Sequence, residues 1–294
     1  MAADPPRVLV VAGPTAAGKT AAAIAAATAV GGVVVGADAM QVYRGMDIGT
    51  AKATPEERAG IVHEGLDLVD PDAPFDVEAW LALADAVIAR GQPVIVAGGT
   101  GLYLHALRRG LVTTPAVDPV LRAELEAEPH LHALLGAVDP ALAARLHPHD
   151  RVRLIRGVEV FRQTGERLSD LQAAHAGQPD RVAVTGVFLD RPDLDTRIDA
   201  RVEQMIAQGY VDEVRALLDA GFAPTLRPMR SLGYRHLADH LLHDLPLDEA
   251  VRRTQRDTRR FARKQRTWQN TLQLQPARGG EVEAVVGMAR GVFP

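Results

Sequence analysis

The sequence predicts an α/β fold in which helices cover a parallel sheet. Strand-like apolar runs alternate with helix-like segments, and a glycine-rich phosphate-binding pattern follows the first strand. Polar residues come directly after the next two strands. The predicted order is strand, helix, strand, long loop, helix, strand and helix. A chain of 294 residues is long enough for such a core and a smaller insertion.

The phosphate-binding pattern lies between the first strand and the first helix. Residues 7–12 form a short apolar run, and an alanine-rich helix is predicted to end at about Val30. The segment 13–20 between them, GPTAAGKT, fits G-x-x-x-x-G-K-[ST], the P-loop pattern. Its glycines let several backbone N–H groups face one phosphate, and the helix N-terminus adds partial positive charge. We expect Lys19 to contact phosphate oxygens and the Thr20 hydroxyl to hold Mg²⁺.

Two further strands are predicted to bring polar residues to the same place. The run 33–35 leads to Asp38, and the run 93–97 leads to Thr100. A helix is predicted between them, from about residue 76 to residue 90. Because ligands bind beyond the carboxyl ends of parallel strands, we expect the P-loop, Asp38 and Thr100 to share one crevice. A carboxylate near phosphate suggests metal binding or proton transfer, and a turn or helix cap is the alternative.

Lysine is rare in this chain, with Lys19, Lys52 and Lys264 among 33 basic residues. Arginine does not replace lysine where a compact ammonium group must contact a phosphate. The positions that keep lysine are therefore candidates for chemistry. Lys52 lies in a loop with two glycines, residues 45–52, and we expect a second phosphate contact there in preference to a plain solvated loop.

Composition excludes several classes of site. There is no cysteine, which rules out disulfides, thiolate metal sites and cysteine nucleophiles. Asp4, Pro5 and Pro6 stand where a signal peptide would be basic and then apolar, and the longest apolar run, 21–35, is too short to span a bilayer. We expect a cytoplasmic protein without a membrane anchor. The histidines at 130, 132, 147 and 149 lack suitable carboxylate neighbours, so we predict no metal site there.

The predicted helix from Val251 to Trp268 carries eight cations and one acid, Asp257, in a chain of net charge -4. This imbalance favours an RNA backbone partner over a merely solvated helix. Residues 113–179 are predicted to form a helical insertion domain. Residues 1–112 and 180–294 are predicted to form the core, with a returning strand at 182–189.

Several segments resemble the tRNA dimethylallyltransferase family. They are GPTAAGKT, DAMQVYRGMDIGTAK, GGTGLY, RVRLIRGVEVFRQTGERLSDL, RSLGYR and TRRFARKQRTW, in the family's order over roughly residues 7 to 270. The second of these is far more specific than a P-loop alone. The resemblance implies a P-loop NTPase-like core that binds dimethylallyl diphosphate without hydrolysing a nucleotide. It also implies transfer of the dimethylallyl group to the N6 amine of an adenosine beside the anticodon, with diphosphate released and Mg²⁺ as cofactor.

The resemblance also assigns residues. It implies Asp38 as general base, with Thr100 and Lys19 as further catalytic residues. The implied diphosphate ligands are Gly13, Thr15, Ala16, Ala17, Gly18, Lys19, Thr20 and Arg230. The implied tRNA contacts are Asp38, Ala39, Met40, Gln41, Thr100, Arg122, Arg153, Arg156, Arg230, Arg235, Arg263, Lys264, Gln265 and Trp268. The expected partners are the anticodon stem-loop and the prenyl donor, with no membrane and no obligate protein partner. The resemblance further implies that the helical insertion domain, residues 113–179, contacts tRNA.

The chain departs from the family pattern at Ala39, where serine is usual, and at Gly36, Val152 and Asn270. These changes put individual tRNA contacts in doubt and leave the reaction type intact. Three alternatives stay open at this point. A kinase would share the P-loop and an acidic residue. A prenyltransferase could act on free adenine nucleotides, and a non-catalytic RNA-binding protein could retain the P-loop.

Overall fold

A computed structural model describes residues 5–294, so that Asp4, part of the expectation of no signal peptide, lies outside the described residues. Chain contacts divide the protein into two compact units. We call them the core unit, residues up to 108 together with 181–294, and the helical unit, residues 109–180. The expected boundaries were 112/113 and 179/180, and the observed ones are 108/109 and 180/181.

The core unit is built on a six-stranded sheet with the order β3-β2-β4-β1-β5-β6. Every strand pair in it is parallel, which confirms the predicted fold class. The strands are β1 (Arg7–Ala12), β2 (Val33–Ala37), β3 (His63–Glu64), β4 (Val94–Gly98), β5 (Ala183–Asp190) and β6 (Gln275–Arg278).

The register of the sheet places three strand ends level with one another. Ala12 pairs with Gly98, and Ala37 pairs with the same Gly98 from the other side. The residues that follow β1, β2 and β4 therefore lie together at the carboxyl-terminal ends of the strands. The predicted convergence of the P-loop, Asp38 and Thr100 is confirmed by this register.

Helices cover both faces of the sheet. Side chains alternate along β1, so that Val10 packs in one apolar cluster and Val11 packs in the cluster on the opposite face. The core-unit helices are α1 (Lys19–Val30), α2 (Pro55–Arg58), α3 (Val77–Ile88), α4 (Gly101–Arg109), α10 (Leu194–Ala207), α11 (Tyr210–Asp219), α12 (Tyr234–Leu242), α13 (Leu247–Arg266), α14 (Trp268–Leu272) and α15 (Val282–Val292). The predicted basic helix is thus α13, and Trp268 lies in the short helix after it.

The helical unit has its own apolar core, which includes Leu125, Leu135, Leu154 and Val158. Its helices are α5 (Pro119–Ala127), α6 (Leu131–Val138), α7 (Pro140–Ala143), α8 (Arg151–Thr164) and α9 (Leu168–Ala176). Residues 109–180 are all described and contain no strand. Across residues 5–294, the helices are too short or too polar to cross a membrane.

Candidate active site

The P-loop turns sharply between β1 and α1. Gly13 has φ +146°, and a Cβ there would lie 2.3 Å from the backbone oxygen of Leu189 on β5, so no other residue fits. Ala16 has φ 63°, an uncommon conformation for a residue with a side chain. α1 then begins at Lys19 without a side-chain cap on its first N–H groups. Uncapped N–H groups at a helix start form a site for an anion.

Lys19 is poorly solvated at this helix start. Its Nζ donates to the backbone oxygen of Pro14 at 2.7 Å. Burial lowers the pKa of Lys19 to about 8, the negative charge of Asp38 opposes this effect, and the positive charge of Arg201 adds to it. Among the described residues, Lys19 has no carboxylate within ion-pair distance, so its charge remains available to a bound anion.

Hydrogen bonds connect the loops after β2 and β4. The N–H of Ala39 donates to Oγ1 of Thr100 at 3.1 Å, and the N–H of Thr100 donates to the oxygen of Ala37 at 3.0 Å. Asp38 accepts the N–H of Met40 through Oδ1 at 2.8 Å. The other carboxylate oxygen of Asp38 and the hydroxyl proton of Thr100 are left for a ligand.

The crevice contains an arginine that the sequence analysis missed. Arg201 on α10 lines it together with Lys19 and Asp38, and burial lowers the pKa of Arg201. It makes no hydrogen bond or ion pair with any residue between 5 and 294. A signal was present in the sequence, because Arg201 interrupts an apolar stripe formed by Ile198, Val202 and Met205 at helical spacing. A partly buried cation without a partner marks a site for an anion.

The cavity in this crevice measures about 570 Å³. Its walls come from the P-loop, the loops after β2 and β4, and helices α10, α12 and α13. Most of the predicted site residues of the core unit line it. They are Thr15, Lys19, Thr20, Asp38, Ala39, Met40, Gln41, Thr100, Arg230, Arg235, Lys264, Gln265 and Trp268. A cavity of this size suits a small-molecule ligand.

Two expected tRNA contacts at the end of α13 have partners inside the protein. Gln265 is only 6% exposed. Its Oε1 accepts the N–H of Thr15 at 2.9 Å, and its Nε2 donates to the oxygen of Gly99 at 3.1 Å. Trp268 packs so closely on Gly101 that a Cβ there would lie 2.0 Å from its ring. Both polar atoms of the Gln265 amide are therefore engaged with backbone groups of the protein.

Lys52 does not form the expected second phosphate contact. Its ammonium group donates to the carboxylates of Asp47 at 2.6 Å and Asp67 at 2.5 Å, and to the oxygen of Tyr43 at 2.6 Å. The side chain is 3% exposed. Lys52 lies outside the crevice, and its three donors hold the loop together. Lys52 has a structural role here, because its compact ammonium group fits between two carboxylates and a carbonyl.

The carboxylate of Glu213 on α11 accepts hydrogen bonds from backbone N–H groups of the same loop. It accepts the N–H groups of Asp47, Ile48 and Gly49 at 2.6–3.0 Å and the hydroxyl of Tyr234 at 2.6 Å. Four donors on two oxygens satisfy the carboxylate. In the folded protein, the N–H groups of residues 47–49 are therefore satisfied by an internal carboxylate and are not available to a phosphate.

The eight cations of α13 are far less free than the sequence suggests. Six of them have a carboxylate within 4 Å, most often on α10, at the end of β5 or one turn earlier on α13. The pairs are Arg252 with Asp248 and Glu249, Arg253 with Glu249, Arg256 with Asp257, Arg259 with Asp199, Arg263 with Asp195, and Arg266 with Asp190. Within the described chain, only Arg260 and Lys264 lack such a partner. The count of one acid was therefore misleading.

Arg230 and Arg235 both line the crevice, and their surroundings differ. Arg230 is exposed and has no side-chain partner among residues 5–294. Arg235 donates to the buried Asp257 at 2.5 Å, and His236 contacts the same carboxylate at 3.1 Å. Burial opposes ionisation of Asp257, but hydrogen bonds from Arg256, His236 and Arg235 outweigh it and lower the pKa of Asp257 to about 2. Arg230 is therefore the freer cation of the two.

In the helical unit, two of the three expected tRNA contacts surround a buried carboxylate. Arg122 and Arg156 contact Glu159 at 2.7 Å and 2.6 Å, and Glu159 is fully buried. The two arginines lower the pKa of Glu159 against the effect of burial. Arg153 is the most accessible of the three, with 72% of its side chain exposed beside Asp150. Arg122 and Arg156 therefore stabilise the helical unit, whatever else they contact.

The described residues contain no group of three or more acidic or histidine side chains that could hold a metal ion. A P-loop does not need one. Mg²⁺ commonly takes one or two protein ligands and completes its shell with phosphate oxygens and water. Thr20 is exposed in the crevice, and its hydroxyl has no partner among residues 5–294. The available donors, Thr20 and Asp38, are hard oxygens that fit this ion.

Comparisons with known proteins agree on one family. A family model described as IPP transferase matches residues 41–271, and a model described as isopentenyl transferase matches residues 6–67. The tRNA dimethylallyltransferase of Syntrophobacter fumaroxidans is 50% identical over 273 residues, covering 89% of this chain and 80% of that protein. That of Geobacter metallireducens is 47% identical over 274 residues, 89% of each chain. The crystal structure of a tRNA isopentenylpyrophosphate transferase from Bacillus halodurans matches with a TM-score of 0.72 and 31% identity, covering 98% of this chain and 97% of that one.

Proposed function

The chain belongs to the IPP transferase family and is a tRNA dimethylallyltransferase, and on this premise we propose how its crevice carries out the reaction. The P-loop binds the diphosphate of dimethylallyl diphosphate, and Asp38 receives the proton of the attacking adenine amine. The observation that carries the proposal is the level register of three strand ends, because it brings Lys19, Asp38 and Thr100 into one crevice.

Two cations and a helix start form the diphosphate site. Lys19 and Arg201 are both poorly solvated, and neither has a carboxylate partner among residues 5–294. The uncapped N–H groups at the start of α1 add partial positive charge. Because the leaving diphosphate gains negative charge as the carbon–oxygen bond breaks, these groups stabilise the transition state more than the substrate. Arg230 lies in the same crevice as a further proposed diphosphate ligand.

Mg²⁺ is the proposed cofactor, with Thr20 as its protein ligand and Asp38 as the nearby carboxylate. When bound, the ion would neutralise charge on the diphosphate oxygens. The protein itself supplies the site for this charge and the crevice that keeps bulk water from the reacting carbon.

The proposed reaction forms one bond, breaks one bond and moves one proton. The amine lone pair forms a bond to the first carbon of the dimethylallyl group, and the carbon–oxygen bond breaks with its electrons moving to diphosphate. The amine proton moves to the carboxylate oxygen of Asp38 that accepts no N–H group. Thr100 accepts the N–H of Ala39 and so has a hydroxyl proton to donate to the diphosphate.

The proposed acceptor is an adenosine beside the anticodon, extruded from its stack to reach the crevice. Residues 38–41 line the crevice and are proposed to contact this base. Arg260 and Lys264 are the cations of α13 free to contact RNA phosphates, and Arg153 is the accessible one of the helical unit. We propose that the helical unit contacts the anticodon arm. We also propose that the reaction takes place in the cytoplasm.

The test is turnover of dimethylallyl diphosphate by the purified protein with Mg²⁺ and unmodified tRNA, measured by mass spectrometry of digested nucleosides. Asp38→Asn is expected to lower turnover by about 10²- to 10⁴-fold, the usual contribution of a general base. Its tRNA affinity should stay within a few-fold of wild type. The matched control is Asp72→Asn, at an exposed position outside the crevice.

Two results would contradict the proposal. If Asp38→Asn loses tRNA affinity as strongly as turnover, Asp38 is a binding residue rather than the base. If free adenosine monophosphate is prenylated as fast as tRNA, the assignment of the RNA contacts fails.

A further inference from the structure

We infer that Gln265 is a positioning residue, which sets the distance between the diphosphate site and the Thr100 turn. The inference rests on the proposed function, because that proposal places the leaving group at the P-loop and the reacting centre beside Thr100. Gln265 comes from α13, far along the chain from both loops. Its role in the reaction is to hold two other groups, and its amide touches no reacting atom.

The hydrogen bonds of the Gln265 amide define this role. Oε1 accepts the N–H of Thr15 in the P-loop at 2.9 Å, and Nε2 donates to the oxygen of Gly99 at 3.1 Å. A reversed amide would place an N–H group against an N–H group and an oxygen against an oxygen, so only one orientation fits. Because the side chain is buried, loss of either bond would leave a backbone group unsatisfied.

The turn after β4 is shaped to receive side chains from α13 and the residues that follow it. A Cβ on Gly99 would lie 2.1 Å from Nε2 of Gln265, and one on Gly101 would lie 2.0 Å from the ring of Trp268. Thr100 stands between these two contacts. The turn is therefore fixed on both sides by residues three positions apart, and Thr100 cannot shift without moving Gln265 or Trp268.

The Gln265 amide also limits which backbone N–H groups of the P-loop are available to the ligand. The N–H of Thr15 is occupied by Gln265, so it is removed from the donors available to diphosphate. The groups nearer the start of α1, with Lys19 and Arg201, remain. Loss of the Gln265 amide should therefore leave most of the diphosphate affinity, which rests on Lys19, Arg201 and the start of α1. By contrast, the position of Thr100 and its distance from the donor carbon should become less well defined. A misplacement of about 1 Å can lower a rate by about 10²-fold.

The test compares Gln265→Met, which keeps the length of the side chain and loses both hydrogen bonds, with Gln255→Met. Gln255 is also on α13, and its amide contacts Asp199 and Glu203 away from the crevice. We expect Gln265→Met to lower kcat by about 10- to 100-fold, while its affinity for inorganic diphosphate with Mg²⁺, measured by calorimetry, changes by less than about threefold. Gln255→Met should match wild type in both measurements.

An unchanged kcat for Gln265→Met would overturn the inference. So would equal losses of kcat and diphosphate affinity together with a lower melting temperature, since these indicate only general damage. If Gln265→Met does not fold, Gln265→Asn keeps the amide on a shorter side chain and supplies the same comparison. Failure of the proposed function would look different, because then wild type itself would bind diphosphate no better than Lys19→Met.

Discussion

The P-loop and the loop at residues 45–52 are alike in composition but differ in the folded protein. The donors at the start of α1 and Lys19 remain available to a ligand, whereas the donors of the 45–52 loop are satisfied by internal carboxylates. Each loop contains two glycines and ends at or near one of the three lysines. In the P-loop, the first N–H groups of α1 are uncapped and Lys19 has no carboxylate partner among residues 5–294. In the 45–52 loop, the carboxylate of Glu213 accepts hydrogen bonds from the N–H groups of residues 47–49, and Asp47 and Asp67 neutralise Lys52.

The difference shows that composition alone does not identify an anion site. Glycines and a lysine make such a site only when no internal carboxylate satisfies them first. An internal carboxylate contributes stability, whereas an unsatisfied group at a crevice costs stability and keeps its charge for a ligand. The two lysines should therefore separate activity from stability when each is changed.

The largest effect is expected at Lys19. Lys19→Met should lower kcat/KM for dimethylallyl diphosphate by about 10²- to 10³-fold, because it removes a cation from the charge that develops on the leaving group. Its melting temperature should not fall, since the ammonium group is poorly solvated and, among residues 5–294, has only the oxygen of Pro14 as a partner. Turnover assays and thermal melts of the same preparations measure both quantities.

The pH dependence gives the control for Lys19. Its pKa is lowered to about 8 by burial, so the cationic form predominates below pH 8 and is lost as the pH rises above it. In the free enzyme kcat/KM should fall by about tenfold per pH unit above this pKa. Lys19→Arg keeps its charge throughout and should lack this decline, although the longer side chain lowers the rate. A decline that persists in Lys19→Arg would assign it to another group.

Lys52→Met is expected to have the reverse outcome. Without the ammonium group, Asp47 and Asp67 lose their shared counter-charge, and we expect a loss of about 1–3 kcal/mol in the free energy of unfolding. The expected loss in the free energy of unfolding is moderate because both carboxylates are about half exposed and remain solvated. Lys264→Met, at an exposed lysine that has no carboxylate partner in the described part of the chain, should change stability by less than about 0.5 kcal/mol. Chemical denaturation measures both.

Diphosphate affinity decides whether the comparison holds. Residues 49–51 of the 45–52 loop line the crevice, but Lys52 itself does not, so diphosphate affinity should be the same in Lys52→Met and wild type. If Lys52→Met loses diphosphate affinity at full stability, the loop does contribute to the anion site and the contrast between the two loops is wrong.

The parts of the site that the sequence predicts correctly are those with local patterns. The P-loop lies within eight consecutive residues, and the convergence of Asp38 and Thr100 follows from the parallel sheet. Arg201 and the role of Gln265 depend on which distant helix packs at the crevice. Gln265 contacts Thr15, 250 residues earlier in the chain, and no spacing rule connects the two.

The same limit explains the basic helix. The sequence shows Asp257 as its one acid, but carboxylates at 190, 195 and 199 approach it only in the folded chain. A charge count along a helix therefore gives an upper bound on the cations available to RNA.

The smallest effect we predict applies the contrast between free and satisfied groups to α13. Lys264→Met should reduce the slope of log affinity for tRNA against log salt concentration by about 0.7 to 0.9, as expected when one cation no longer neutralises a phosphate. Removing the Arg259–Asp199 pair as a unit, with Arg259→Met and Asp199→Asn together, leaves the net charge unchanged and should leave the slope unchanged. Binding titrations at several salt concentrations measure the slope, and thermal melts confirm that the double variant is folded. A slope that falls equally in both variants would mean that Arg259 exchanges Asp199 for a phosphate, so that paired cations count as RNA contacts after all.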